Sequence, residues 1–233
     1  MNPRRPHHSE RGLSLVELLV GTALGLFIVA GAVTLLLTHL REQRSLLMEA
    51  RLMQDLRAIA DLMSRDLRRA AYWGDAAVGL GSADAATRPN PYSALAPLAA
   101  VSNMVRFNYS RDATENHAVD GNETFGWRLG DGALELDLGS GWQRLTDPLL
   151  LTVTGFSVTP SVEQIDLSDL CTRPCDVQST AAATCPPRQQ VRRMTLRIDG
   201  RAAGTTGAVR SIETQVKLRN DVVVGACSGW PLL

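Results

Sequence analysis

Few side chains in this sequence are placed to do chemistry, and those that are point to cross-links and charge pairs rather than to a reaction centre. Four cysteines, Cys171, Cys175, Cys185 and Cys227, all fall in the last third of the 233 residues. An even number gathered in one region fits two disulfides formed in an oxidising compartment, and spacing does not choose among the three pairings that four thiols allow. The favoured arrangement has one bridge within Cys171–Cys185 and a second that ties the C-terminal tail through Cys227. Four thiolates would also suffice for a structural zinc site, but the paired C-x-x-C knuckles are missing, so no metal is expected. Asp112, Glu115, Asp120, Asn122 and Glu123 offer the hard oxygen ligands that calcium takes, without EF-hand spacing, and read as a solvated turn. Beyond the first twelve residues only His39 and His117 remain, and no Ser/His/Asp set or His-rich metal cluster can be assembled with them. Neither an enzyme nor a cofactor is expected. One carboxylate stands in an unusual place: Glu17, in "RGLSLVELLVGTALGLFIVAGAVTLLL", lies four residues into an apolar run.

That run decides the architecture. Between Leu13 and Leu40 only Glu17 and His39 are ionisable, whereas a helix needs about 20 residues to cross the hydrocarbon. The segment is long enough to span a membrane. "THLREQRSLLMEARLMQ" follows it and contains no small-residue cleavage site of the kind that ends a secretory signal, so the span is expected to stay in the mature protein. Arg4, Arg5 and Arg11 precede it and Arg41 and Arg44 follow, which leaves the positive-inside rule nearly balanced. A carboxylate within a span costs roughly 2.5–3.5 kcal/mol at the centre and less near the interface, and so is normally kept for a partner. Gly21 and Gly25 stand in GxxxG spacing, which lets helices approach closely.

A basic leader ending in Gly12, then an apolar residue, then Ser14, Leu15 and Glu17 ahead of some twenty apolar residues, resembles the N-terminal signal of type IV prepilins and type II secretion pseudopilins. The resemblance implies that prepilin peptidase cuts between Gly12 and Leu13 and methylates the new amino group of Leu13. It also implies that Glu17 meets the N-terminal ammonium of a neighbouring subunit during assembly, neutralising two charges inside an apolar bundle. Leu13 departs from the family's usual phenylalanine, a change expected to be tolerated in cleavage because the glycine dominates recognition. "RDLRRAAYWG", with Asp66, Leu67, Arg68, Ala70, Tyr72 and Gly74, resembles the run that closes the long helix in PilW-type minor pilins, and more loosely the minor pseudopilins called J. "VKLRN" resembles the last strand of the same proteins.

Beyond the span, Met48, Leu52, Leu56, Ile59, Met63, Leu67 and Ala70 recur at spacings of three and four, with charged residues between them. This predicts an amphipathic helix that continues to Gly74. Residues 75–100 shift to Ala, Gly, Ser and Pro and read as a connecting loop. Alternation then predicts strands: Val101, Asn103, Val105, Phe107 and Tyr109; Leu134, Leu136 and Leu138; Met194, Leu196 and Ile198; Ile212, Thr214, Val216 and Leu218. "LLLTVTGFSV" and "ETFGWRLG" add two more. Asp120-Gly121 and Asp131-Gly132 are hairpin-type turns.

The expected fold is α+β, a pilin-like lollipop with a long N-terminal helix packed on an antiparallel β-sheet head. Its parts are a leader (1–12), a transmembrane half-helix (13–40), an amphipathic half-helix (41–74), a connecting loop (75–100) and a periplasmic head with the disulfides (101–233). The resemblance implies a minor pilin of a tip or priming complex, with other minor pilins, the major pilin, prepilin peptidase and the inner-membrane assembly platform as partners. The J-like pseudopilin of type II secretion is the alternative within this architecture. Formal net charge is zero, which excludes global attraction to nucleic acid, but charge is uneven. Arg188–Arg219 holds eight basic residues against Asp199 and Glu213, and Val101–Leu170 holds eleven acids against four arginines. A basic strand pair of this kind could dock an acidic face of the next subunit, contact DNA in a competence pilus, or be dispersed surface charge. DNA is the less favoured partner, since no aromatic residues interleave the cations.

Overall fold

The computed structural model describes residues 14–80, 89–173, 175, 185–203, 207–225 and 227. Two compact units divide the chain, residues 1–49 and 50–233. One continuous helix, α1 (Leu15–Leu67), runs through the boundary between them.

In the first unit the helix is apolar on all sides from Leu18 to Leu37 and exposed throughout that stretch, Leu26 at 71% and Phe27 at 79%. Thr22, Thr34 and Thr38 turn their hydroxyls back to the carbonyls of Leu19, Gly31 and Thr34. Their polar groups are therefore satisfied within the helix, as a lipid environment demands. Met48, counted in the apolar stripe, remains 43% exposed, and the buried stripe begins at Leu52.

In the second unit the three-and-four spacing does its work. Leu52, Leu56, Ile59, Ala60, Met63 and Leu67 are buried against antiparallel sheets. Full burial of side chains such as Leu56 and Met63 contributes about 2 kcal/mol each. The α-helix ends at Leu67, ahead of Gly74, because the hydrogen bonds shorten: Arg69 N reaches Asp66 O and Ala70 N reaches Leu67 O, three residues back. Ala71 then takes a left-handed conformation (φ 62°) and leaves the axis. Ala70 is buried, but in this turn.

Two antiparallel sheets form the head where one was expected. β1 (Leu95–Ala96), β2 (Met104–Asn108), β3 (Thr124–Gly130), β4 (Ala133–Asp137) and β5 (Trp142–Arg144) make a meander in chain order. β1 lies in the stretch read as connecting loop and pairs Leu95 with Phe107. β6 (Leu151–Asp166), β7 (Arg188–Ala202) and β8 (Arg210–Lys217) form the second sheet, with β9 (Val222–Val224) paired to the start of β7. "VKLRN" therefore closes β8 but is followed by one more short strand. The core joins the helix stripe to Phe107, Phe125, Trp127, Leu134, Met194, Leu196, Ile198, Val216 and Leu218. Tyr109 and Phe125 stack at 3.9 Å between centroids.

Asp131-Gly132 forms the expected two-residue hairpin between Gly130 and Ala133, both with positive φ (47° and 72°). Asp120-Gly121 does not form one: Gly121–Glu123 is a single 3-10 turn at the end of the long segment that joins β2 to β3. The alternation of β4 also stops early. Leu138 is 41% exposed, while Asp137 is buried and its Oδ1 accepts from the backbone N–H of Gly139 and Gly141.

Candidate assembly site

Glu17 sits in the first turn of α1, where a carboxylate favours the helix dipole. Its side chain is exposed and has no hydrogen-bond or ion-pair partner among the described residues. The carboxylate is thus left available to a cation brought by another molecule. Gly12 and Leu13, the expected cleavage pair and the expected methylated amine, lie outside the described residues. At Gly21 and Gly25 a Cβ would meet nothing within 4 Å, so this face is open to close approach by another helix. From Leu15 to Leu40 the helix rises roughly 39 Å at 1.5 Å per residue, longer than a hydrocarbon core of about 30 Å. α1 is long and apolar enough to cross a membrane.

The end of α1 is held to the head by backbone groups. Helix ends leave carbonyls without partners, and here those of Arg68, Ala70, Ala71 and Tyr72 find donors from distant segments, while Leu67 and Arg69 are satisfied locally. Arg219 N donates to Arg68 O, Asn220 Nδ2 to Ala70 O at 2.9 Å, and Asn90 Nδ2 to Ala71 O at 2.8 Å. Ser110 N donates to Tyr72 O, and Ala71 N returns a bond to Asn108 O. Arg192, buried to 3% exposure, braces two of these segments from below, with Nη1 on Ser93 O and Nη2 on Asn220 O. Burial pushes its pKa down, and the charge of Asp221 offsets part of that shift. Three segments of the head, at Asn90, Asn108–Ser110 and Arg219–Asn220, thus bond the helix end directly.

The acidic segment, expected to be a solvated turn, is tied into the head as an internal scaffold. Glu115 gathers four donors: Tyr92 Oη at 2.8 Å and His117 N at 2.9 Å on Oε1, and Ser110 Oγ at 2.7 Å and Gly74 N at 3.1 Å on Oε2. Burial alone would raise its pKa, but these hydrogen bonds together outweigh it and hold the carboxyl below its ordinary value. The Tyr92 phenol is correspondingly pushed well up, by burial first and by its bond to Glu115 second. Glu123, fully buried, accepts from Arg111 N and Asp120 N. Asp112, Asp120 and Glu123 have oxygens within 4.8 Å of one another. Asn116 already donates to both aspartates, through its N to Asp112 and its Nδ2 to Asp120. His117 accepts the Trp73 indole N–H on Nδ1 at 3.2 Å.

Cys171 is joined to Cys227 and Cys175 to Cys185, so all four thiols are paired. Part of the uneven charge is neutralised across one strand pair. β6 carries acids and lies beside β7, so that Arg193 meets Glu163 at 2.8 Å and Arg188 stands opposite Asp166. Arg197 turns to Asp199 on its own strand. Burial of Arg192, like the carbonyl-capping roles of Asn90 and Asn220, has no local signal in the sequence. Each depends on which distant segment arrives beside it.

The family model described as prepilin peptidase-dependent protein B matches residues 45–218, about three quarters of the chain. That span covers the amphipathic part of α1 and nearly all of the head, and it excludes the leader pattern at Gly12–Glu17. No curated protein and no solved structure matches.

Proposed function

This chain belongs to the prepilin peptidase-dependent protein B family, and from that premise we propose that it is a minor type IV pilin of the PilW type. It is processed between Gly12 and Leu13, methylated on Leu13, and held in the inner membrane by α1 with its head in the periplasm. There it joins other minor pilins in a priming complex that is later carried at or near the pilus tip. Its role is assembly rather than catalysis.

One observation carries the reading. The leader pattern and the family match occupy separate stretches of the chain, residues 12–17 and 45–218, and both point to prepilin processing. Agreement between non-overlapping segments is not produced by one accidental motif. Support also comes from Glu17, an unpartnered carboxylate on an exposed apolar helix, which an N-terminal ammonium of a neighbouring subunit would neutralise. The three-segment clasp at the helix end supports it too, since a subunit drawn from the membrane by its helix must carry its head along.

The test is intact-mass analysis of the protein purified from a membrane that contains its own prepilin peptidase. The expected chain begins at Leu13 and carries one added methyl group. A chain that still begins at Met1, beside a correctly cleaved control prepilin, would overturn the proposal.

A further inference from the structure

Most cations of the head are already engaged, which makes one group of three stand apart. Arg68, Lys217 and Arg219 line an open recess of about 390 Å³ whose floor is the buried Leu218. None of the three side chains has an ion-pair or hydrogen-bond partner among the described residues, and all three are exposed. Their neighbours differ: Arg193, directly across the strand pair from Lys217, is neutralised by Glu163, Arg197 by Asp199, and Arg192 is buried on carbonyls.

The backbone beneath the recess is fixed. Arg219 N donates to Arg68 O, Leu218 N donates to Arg192 O, and the Asn220 side chain is bonded to Ala70 O. Three like charges are thus gathered over a fixed backbone with no counter-charge among the described residues, and an anion brought by another molecule would relieve their mutual repulsion. Capping of the helix does not account for it. The carbonyls of Arg68 and Ala70 are satisfied by backbone and amide donors, and two of the three cations belong to a different element.

We propose that this recess receives a carboxylate-bearing segment of a neighbouring pilus subunit. Two guanidinium groups and an ammonium match the charge and donor geometry of one or two carboxylates. A nucleic-acid strand fits less well, because the flanking arginines of β7 are occupied and leave no continuous cationic track for successive phosphates. Among the described residues no aromatic side chain lines the recess to stack a base. The inference rests on the assembly reading only for the partner being a subunit. Cleavage at Gly12 and binding at the recess are separate measurements, so either can fail alone.

The experiment uses the full chain in a neutral detergent and a rhodamine-labelled hexaglutamate peptide, followed by fluorescence anisotropy at low salt. Arg68→Gln, Lys217→Gln and Arg219→Gln are each expected to weaken binding about two- to fivefold, and the triple variant to abolish it. Arg57→Gln, an exposed cation elsewhere on α1, should leave binding unchanged. The triple variant Arg68→Glu, Lys217→Glu, Arg219→Glu should bind labelled hexalysine instead, and an unshifted urea midpoint will show that it is folded. Equal binding by the wild type and the glutamine triple variant would overturn the proposal, as would no binding at all. Tighter, recess-dependent binding of a labelled twelve-residue oligothymidylate would overturn it in favour of a phosphate polymer.

Discussion

Glu115 is the best place to test how the head is held to the helix end. Its carboxylate takes hydrogen bonds from Gly74 N, Ser110 Oγ, Tyr92 Oη and His117 N, all between 2.7 and 3.1 Å. Glu115→Gln keeps one acceptor oxygen and points an NH2 at the donors of the other. Tyr92 can fall back on Ala118 O, 2.9 Å away, and the Ser110 hydroxyl can rotate, but a backbone N–H cannot. One backbone donor is left unsatisfied and the remaining bonds lose their charge. Hydrogen bonds to a charged group contribute about 1.5–3 kcal/mol each and neutral ones about 1 kcal/mol. Because Glu115 is only partly buried, solvent moderates these values, and the expected loss is about 2 kcal/mol for Gln and about 3 kcal/mol for Ala. With a urea slope of about 2 kcal/mol per molar, the midpoint falls by about 1 M. The assay is urea unfolding of the full chain in detergent, followed by tryptophan fluorescence, because Trp73 donates to His117 in the same loop. The pH dependence gives a second reading. A carboxyl whose folded pKa is depressed contributes stability that is present above its unfolded pKa and lost as pH falls through the folded value. The gap between wild type and Glu115→Gln should therefore be full at pH 7 and narrow below about pH 4. No difference at pH 7, or a gap that stays constant to pH 3, would refute the scaffold role.

Other perturbations reach the remaining elements. Asn220→Ala removes the donor to Ala70 O and should lower head stability by about 1 kcal/mol, read as a urea midpoint shift of about half a molar. Peptide mapping without reduction should find Cys171 linked to Cys227 and Cys175 to Cys185. Replacing the first pair by serine opens a cross-link of sequence separation 56, against 10 for the second. The chain-entropy account puts these at about 4 and about 3 kcal/mol, so the first double variant should unfold at lower urea. Glu17→Ala should be cleaved normally while entering filaments poorly, and sheared filaments carrying normal amounts of it would argue against pairing with an N-terminal ammonium.

Local pattern was enough for whatever depends on neighbours in the chain. The apolar run of α1, the stripe from Leu52 to Leu67, the inward faces of Met194, Leu196 and Ile198, and the Asp131-Gly132 hairpin each follow from period or turn chemistry within a few residues. The sequence alone also carried the leader pattern at Gly12–Glu17. It could not divide the strands into two sheets, because alternation says which face is apolar and not which strand lies alongside. Nor could it choose the cysteine pairing, or show that the acids of β6 neutralise arginines of β7. The same limit hid the work of Glu115, Asn90 and Asn220, whose partners lie at sequence separations of up to 150 residues. A carboxylate or an amide has the same local signature whether it is solvated, bound to a metal or bonded to a helix end. Only the arrival of a distant backbone group, brought by the packed core, decides between them.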